Sequence, residues 1–335
     1  MNRIFAILIF LFCISCNAGS DYKELFKQAN IETDNENYGR AITLLNRVVR
    51  LSPDFDSAYA ERAYNYYMLD NADKALRDAN KALELNYNNI TAYYYRALIS
   101  KHLLSDFEQA IRDYTHIIRT GDTLFYKTAL QLRAEAYAFT GELSKTIADL
   151  TEIIKLDSLN YEIWAERGFY KWQYDVTHLY SKNGFIDYSK LPENHKIRHL
   201  LDGHSNFSKT VIFDTHGAIK DFSKAIEINP EYAGAYYYRS RVYFDISLLN
   251  TERALYDINK AIQYNEHSDF YIQRAAIYQH LKKPEKALED LNKAIKLNPN
   301  SGHAHFNRGQ LREHEFGDLN GARKDYRIAK RLGVQ

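Results

Sequence analysis

Cysteine is almost absent from this 335-residue chain, and both copies, Cys13 and Cys16, lie in its first 16 residues. The remainder can form no internal disulfide and offers no Cys-based metal or redox site. Net charge is nearly absent as well, because 44 Lys and Arg against 43 Asp and Glu leave only +1, with both signs dispersed. Without a basic field, nucleic acid is not an expected partner. Also missing are a phosphate loop, a Gly-x-Ser-x-Gly elbow and a Gly-rich dinucleotide fingerprint, so neither an enzymatic reaction nor a cofactor is expected. The apolar run from Ile4 to Phe12 is too short to span a membrane permanently.

What is present is a soluble composition, 45% hydrophobic and 26% charged, arranged in a repeating unit. The stretch from Phe270 to Pro299 states it most clearly. Tyr271, Ala275 and Tyr278 recur at steps of four and three, the spacing of one helical face. Ala287, Leu288, Leu291, Ala294 and Ile295 form a second stripe, begun at Pro284, which suits a first helical turn because its missing N–H costs nothing there. A helix pair of this size needs copies on either side to bury its apolar faces.

The Ala that opens the second helix recurs as Ala41, Ala75, Ala110, Thr146, Ala218, Ala254, Ala287 and Ala322, with one Thr substitution. Most steps lie near 34 residues, and one, from Thr146 to Ala218, is doubled. The segments YNNITAYYYRALIS, SGHAHFNRGQLRE, KALELNYNN, KAIEINPEY and KAIKLNPN resemble tetratricopeptide repeats over roughly Asp21 to Leu332. That resemblance implies an all-α, right-handed α-solenoid of about eight helix pairs across 22–335.

A polar pattern accompanies the apolar one. Arg62, Arg96, Arg133, Arg167, Arg239, Arg274 and Arg308 each precede the small residue of a first helix. Asp78, Asp113, Asp149, Asp221, Asp257, Asp290 and Asp325 each follow the opening residue of the next second helix by three. In the first unit Gln28 and Leu44 stand in these slots, so both members vanish together. The pattern predicts a ladder of Arg–Asp pairs, since an Arg fork matches a carboxylate.

The doubled step lies in the fifth unit, where residues 173–215 are read as an insertion, with a degenerate extra repeat as the alternative. Five of the twelve histidines, His178, His195, His199, His204 and His216, fall in or beside it. His195 and His199 would share one face of a short helix between Pro192 and Gly203, a weak candidate for zinc binding.

The first residues follow another logic. Arg3, the apolar run and small Ser15 before Cys16 have the order of a secretory signal over 1–15 and resemble a bacterial lipoprotein signal, although Cys13 stands where that motif usually has Leu. The resemblance implies lipidation of Cys16, a short tether over 16–21 and a cell-envelope location. Asn17, in place of an inner-membrane retention Asp, implies the outer membrane.

In tetratricopeptide proteins first helices line the concave side. By that resemblance a ligand-binding groove contains Tyr64, Tyr67, Tyr94, Tyr95 and Phe139, then Phe169, Trp172, Tyr237, Tyr238 and Phe244. Such residues combine large contact area with a polar tip, while many of them also fit simple packing between helices. The expected function is a non-enzymatic, membrane-anchored scaffold that binds a protein or peptide. Glycan capture for polysaccharide uptake is the alternative, and a metal-dependent function of the insertion the third reading. No polar capping helix follows the last second helix, so an apolar edge suited to self-association is expected there.

Overall fold

The computed structural model describes residues 21–181, 215–245 and 249–334, with the backbone alone for 174–181. These residues form helices and turns only. In unit one, Met1–Ile153, the first helices are α1 (21–34), α3 (Asp56–Met68), α5 (Ile90–His102) and α7 (Tyr126–Phe139). Their partners are α2 (Tyr38–Leu51), α4 (Ala72–Leu85), α6 (Phe107–Thr120) and α8 (Leu143–Leu156), which crosses the unit boundary. In unit two, Ile154–Gln335, α9 (Tyr161–Ser181) pairs with α10 (Thr215–Ile228), and α11 (Ala233–Phe244) pairs with α12 (Thr251–Tyr264). Helices α13 (Ser268–His280) with α14 (Pro284–Leu297), and α15 (Gly302–Phe316) with α16 (Leu319–Arg331), complete eight pairs. The fold is an α-solenoid, as the period predicts.

Small residues let the two helices of a pair approach. Ala63, Ala97, Ala134, Ser240 and Ala275 occupy the slot after the ladder arginine and are essentially inaccessible, as are the opening residues Ala75, Ala110, Thr146, Ala254 and Ala287. Glycine fills that slot twice. A Cβ on Gly309 would come within 2.7 Å of the Tyr326 ring, and one on Gly168 within 3.2 Å of the backbone oxygen of Ala218. Larger side chains such as Leu45, Tyr114, Ile117, Phe222, Ile258 and Leu291 then fill the space between helices.

Turns within pairs share a device. The residue two before the second helix has positive φ at Glu36, Asp70, Ser105, Gly141, Lys282 and Gly317, which reverses the chain in one tight step. The next residue caps the helix at Asn71, Asp106, Asn250 and Asp318, whose side chains accept from backbone N–H groups of the first turn.

Two expectations change. Helix α9 runs to Ser181, past the residue at which the insertion was expected to begin, because no Gly or Pro lies between Gly168 and Gly184. The exposed face of α16 is basic rather than apolar: Arg323, Lys324, Arg327, Lys330 and Arg331 point outward, with Leu319 and Leu332 exposed at its ends. Only Ala322, Asp325 and Ala329 of this helix are buried. Among the described residues no helix is long and apolar enough to cross a membrane. Cys16, His195 and His199 lie outside the described residues.

Candidate functional site

The arginine ladder forms in full and belongs to the framework. In all seven pairs the Nε and Nη2 of Arg62, Arg96, Arg133, Arg167, Arg239, Arg274 and Arg308 donate to the two carboxylate oxygens of the expected Asp, at 2.6 to 2.9 Å. Sequence reasoning missed a third bond. The remaining Nη1 of Arg62, Arg96 and Arg133 donates to Asn46, Asn80 and Thr115 of the preceding second helix, and that of Arg239, Arg274 and Arg308 to Ser223, Asn259 and Asn292, at 2.7 to 2.9 Å. Each of these acceptors stands five residues after its helix's opening Ala, a spacing visible in the sequence. An aromatic ring sits under most of the guanidinium groups, as with Tyr59 under Arg62 at 5.3 Å and Trp164 under Arg167 at 4.8 Å.

Carboxylates on the ladder do not all behave alike. Burial dominates at Asp257 and raises its pKa above the usual value despite Arg239. Burial also raises that of Asp325, yet three partners reverse the outcome: Arg308, His305 and Arg312 hold it below the usual value.

The groove residues expected in unit one divide. Tyr64 and Tyr67 on α3 and Tyr94 and Tyr95 on α5 come together in a pocket of about 730 Å³, whose third wall is Asn30, Thr33 and Asp34 on α1. Three successive first helices thus supply it. The rings of Tyr64 and Tyr95 stack with centroids 4.8 Å apart, and Tyr94 packs against Phe125 at 5.0 Å. The Tyr67 hydroxyl hydrogen-bonds Nδ1 of His102 at 2.7 Å, and burial, followed by the charge of Lys101, holds that imidazole below its usual pKa. Phe139 does not join them. It stands 77% exposed at the end of α7 and stacks on Phe107 at 4.3 Å.

Glu61 on the pocket wall is the residue that aromatic pattern reading missed. Burial pushes its pKa up to about 7, with Asp34 adding to the rise and a long hydrogen bond from Tyr95, at 3.4 Å, opposing it. It makes no ion pair among the described residues. Asn30 beside it has a buried Oδ1 without a hydrogen-bond donor. Glu61 stands immediately before Arg62, where α5 and α11 have Tyr95 and Tyr238, so the departure is visible once the helices are aligned.

In unit two the expected aromatics form another patch. Phe169 packs on Tyr238 at 5.2 Å and on Trp172 at 6.3 Å, and Tyr237 packs on Phe270 at 4.8 Å. Arg241 lies over Trp172 at 4.7 Å and over Tyr237 at 5.6 Å, while Trp172 Nε1 donates to Asp245 at 3.4 Å. Phe244 meets the edge of His280 at 5.7 Å. Here the chain lays its own cation on its aromatic surface.

Paired helices at this period, an internal ladder and half-buried aromatics on first helices define a helical-repeat protein. Tetratricopeptide repeat models match residues 26–100 and 268–301. The chain is 33% identical to serine/threonine-protein phosphatase 5 of Homo sapiens over 97 residues, which are 29% of this chain and 19% of that protein. It is 32% identical to Hsc70-interacting protein 1 of Drosophila melanogaster over 90 residues, 27% of this chain and 24% of that protein. The aligned segment thus spans about a fifth to a quarter of the length of these curated relatives. A solved structure of the C-terminal part of a tetratricopeptide repeat-containing protein from Cytophaga hutchinsonii is similar in fold, at 18% identity and a TM-score of 0.61, covering 83% of this chain and 97% of that one.

Proposed function

We propose that this protein is a non-enzymatic scaffold, anchored in the cell envelope by a lipid on Cys16, whose first helices bind a segment of another protein. The observation that supports binding is the pocket between α1, α3 and α5, which presents half-buried tyrosines instead of closing over them. A relative of the repeats is itself named for interacting with Hsc70, which favours a protein over a sugar as occupant. Residues 1–15 would be removed as a signal, and the lipid would hold the array at the outer membrane. An insertion is proposed between α9 and α10, supported by Arg167 on α9 pairing with Asp221 on α10, with His195 and His199 as weak candidate metal ligands.

Photo-crosslinking from position 94 or 237 in the native host tests binding, and a discrete protein adduct is expected. Absence of any protein adduct, together with retention on a glycan panel, would transfer the reading to polysaccharide capture. Cys16→Ser tests the anchor: the variant is expected to leave the membrane fraction, and unchanged fractionation removes the lipid from the proposal.

A further inference from the structure

The pocket in unit one is a place where the molecule repeats its own chemistry with one component missing. In its framework, an arginine lies on an aromatic ring and donates to a carboxylate, as Arg62 does between Tyr59 and Asp78, and Arg96 between Tyr93 and Asp113. On the aromatic patch of unit two, Arg241 lies over Trp172 and Tyr237. In the pocket the rings are present as Tyr64 and Tyr95, the carboxylates as Glu61 and Asp34, and no Lys or Arg is among the residues that line it. The side-chain groups that act on Glu61 are Tyr95 and Asp34, neither of them a cation.

The geometry points to an arginine side chain, carried on an extended segment of a protein partner, as the group this pocket receives. Planar guanidinium with five N–H donors can stack on a tyrosine face while its edge donates to Glu61 and Asp34. A lysine ammonium is more strongly hydrated and offers no fork. The volume of about 730 Å³ exceeds one side chain and leaves room for flanking backbone. The inference rests on the peptide-binding reading above and sharpens it.

Proton linkage supplies an independent sign. Glu61 faces Asp34 from α1 and Tyr95 from α5, with Tyr64 beside it on α3, so nothing on the wall compensates its charge. A bound cation would, and the carboxyl would lose its proton on binding.

The test is calorimetric titration of the full chain with a five-residue peptide, acetyl-Gly-Ala-Arg-Ala-Gly-amide, against the same peptide with citrulline, an uncharged isostere, in place of arginine. The expected result is an affinity at least tenfold higher for the arginine peptide, a gain of several-fold between pH 6 and pH 8, and loss of the preference in Glu61→Gln. Asp34→Asn, at an exposed position whose folding is not in question, should weaken binding more modestly. Equal affinity for the two peptides, or an unaltered preference in both variants, overturns the inference. A dimer that forms with concentration and that Arg327→Gln abolishes would place α16 of a second copy in the pocket, and would overturn its assignment to a separate partner. If cross-linking from position 94 captures a protein while the arginine preference is absent, the peptide-binding reading survives and this one fails; a preference without any captured protein separates them the other way.

Discussion

Arg274 donates to both oxygens of Asp290 and to Asn259, so removing its side chain leaves a buried carboxylate and a neighbouring amide without their donor. Arg274→Ala should therefore destabilise the fold by about 1–4 kcal/mol, read from denaturant midpoints, and a variant that melts like the wild type would detach the ladder from stability. Two other carboxyls give opposite dependences on pH. The pKa of Asp325 is depressed on folding, so its contribution is present above the unfolded value and is lost as pH falls through the folded one. Acid should accordingly loosen α15 and α16, visible as a fall in stability below about pH 4 that Asp325→Asn removes. Glu61 has a folded pKa raised from 4.5 to about 7, so its contribution is complete below the lower value and lost as pH rises through the higher one. Glu61→Gln should then be more stable than the wild type at pH 8, by up to about 3 kcal/mol, with the gap closing near pH 5. A constant gap across that range would refute the linkage. The ladder partners could be read from the sequence because both members recur at a fixed offset and vanish together in the first unit. Glu61 could not be read that way, since its meaning comes from Asp34 on another helix and from the absence of a cation, neither of which leaves a periodic trace.

At the scale of the helix pair, the positive-φ residue before each cap sets where the second helix starts. Gly141 and Gly317 adopt it without strain, whereas Asp70, Ser105 and Lys282 carry a Cβ into the left-handed region at φ 54, 54 and 58°. Strain of this kind costs about 1 kcal/mol, partly offset by the lower entropy of a non-glycine residue in the unfolded chain. Lys282→Gly should consequently raise stability by about 0.5–1 kcal/mol, and a loss of stability in thermal melts would show the site unstrained. The apolar stripes and Pro284 made the pairs legible, because a helix face repeats every three to four residues whatever surrounds it. The extent of α9 and the basic outer face of α16 were less legible, since where a helix stops and which face stays uncovered depend on neighbours. Phe139 shows the same limit: it has an aromatic ring at a first-helix position, yet it stacks on Phe107 of the preceding helix α6 and stands outside the pocket.

Repeat arrays draw stability from each unit and from nearest-neighbour interfaces, so a unit lacking part of its framework should open first. Within unit one the pair α1–α2 is that unit. It has Gln28 and Leu44 where the others have Arg and Asp, and Gln28 donates only to Glu24 on its own helix. A different polar link holds it. Asn65, fully buried on α3, donates to the hydroxyl of Thr33 at 2.9 Å, and Thr33 donates onward to Ala29 at 3.1 Å. That neutral link joins α1 to α3, and between α1 and α2 the only ion pair among the described residues is the single Arg40–Glu32 contact at 3.4 Å, with Arg40 exposed, in place of a buried bidentate pair. Backbone amides of α1 and α2 are therefore expected to exchange with solvent deuterium at least tenfold faster than those of α3 and α4, and Thr33→Val should widen the difference. Because α1 forms one wall of the pocket, an arginine peptide that binds there should slow the exchange of α1 selectively. Uniform protection across the four helices, with or without peptide, would mean that the missing rung is compensated and that the pocket is already rigid.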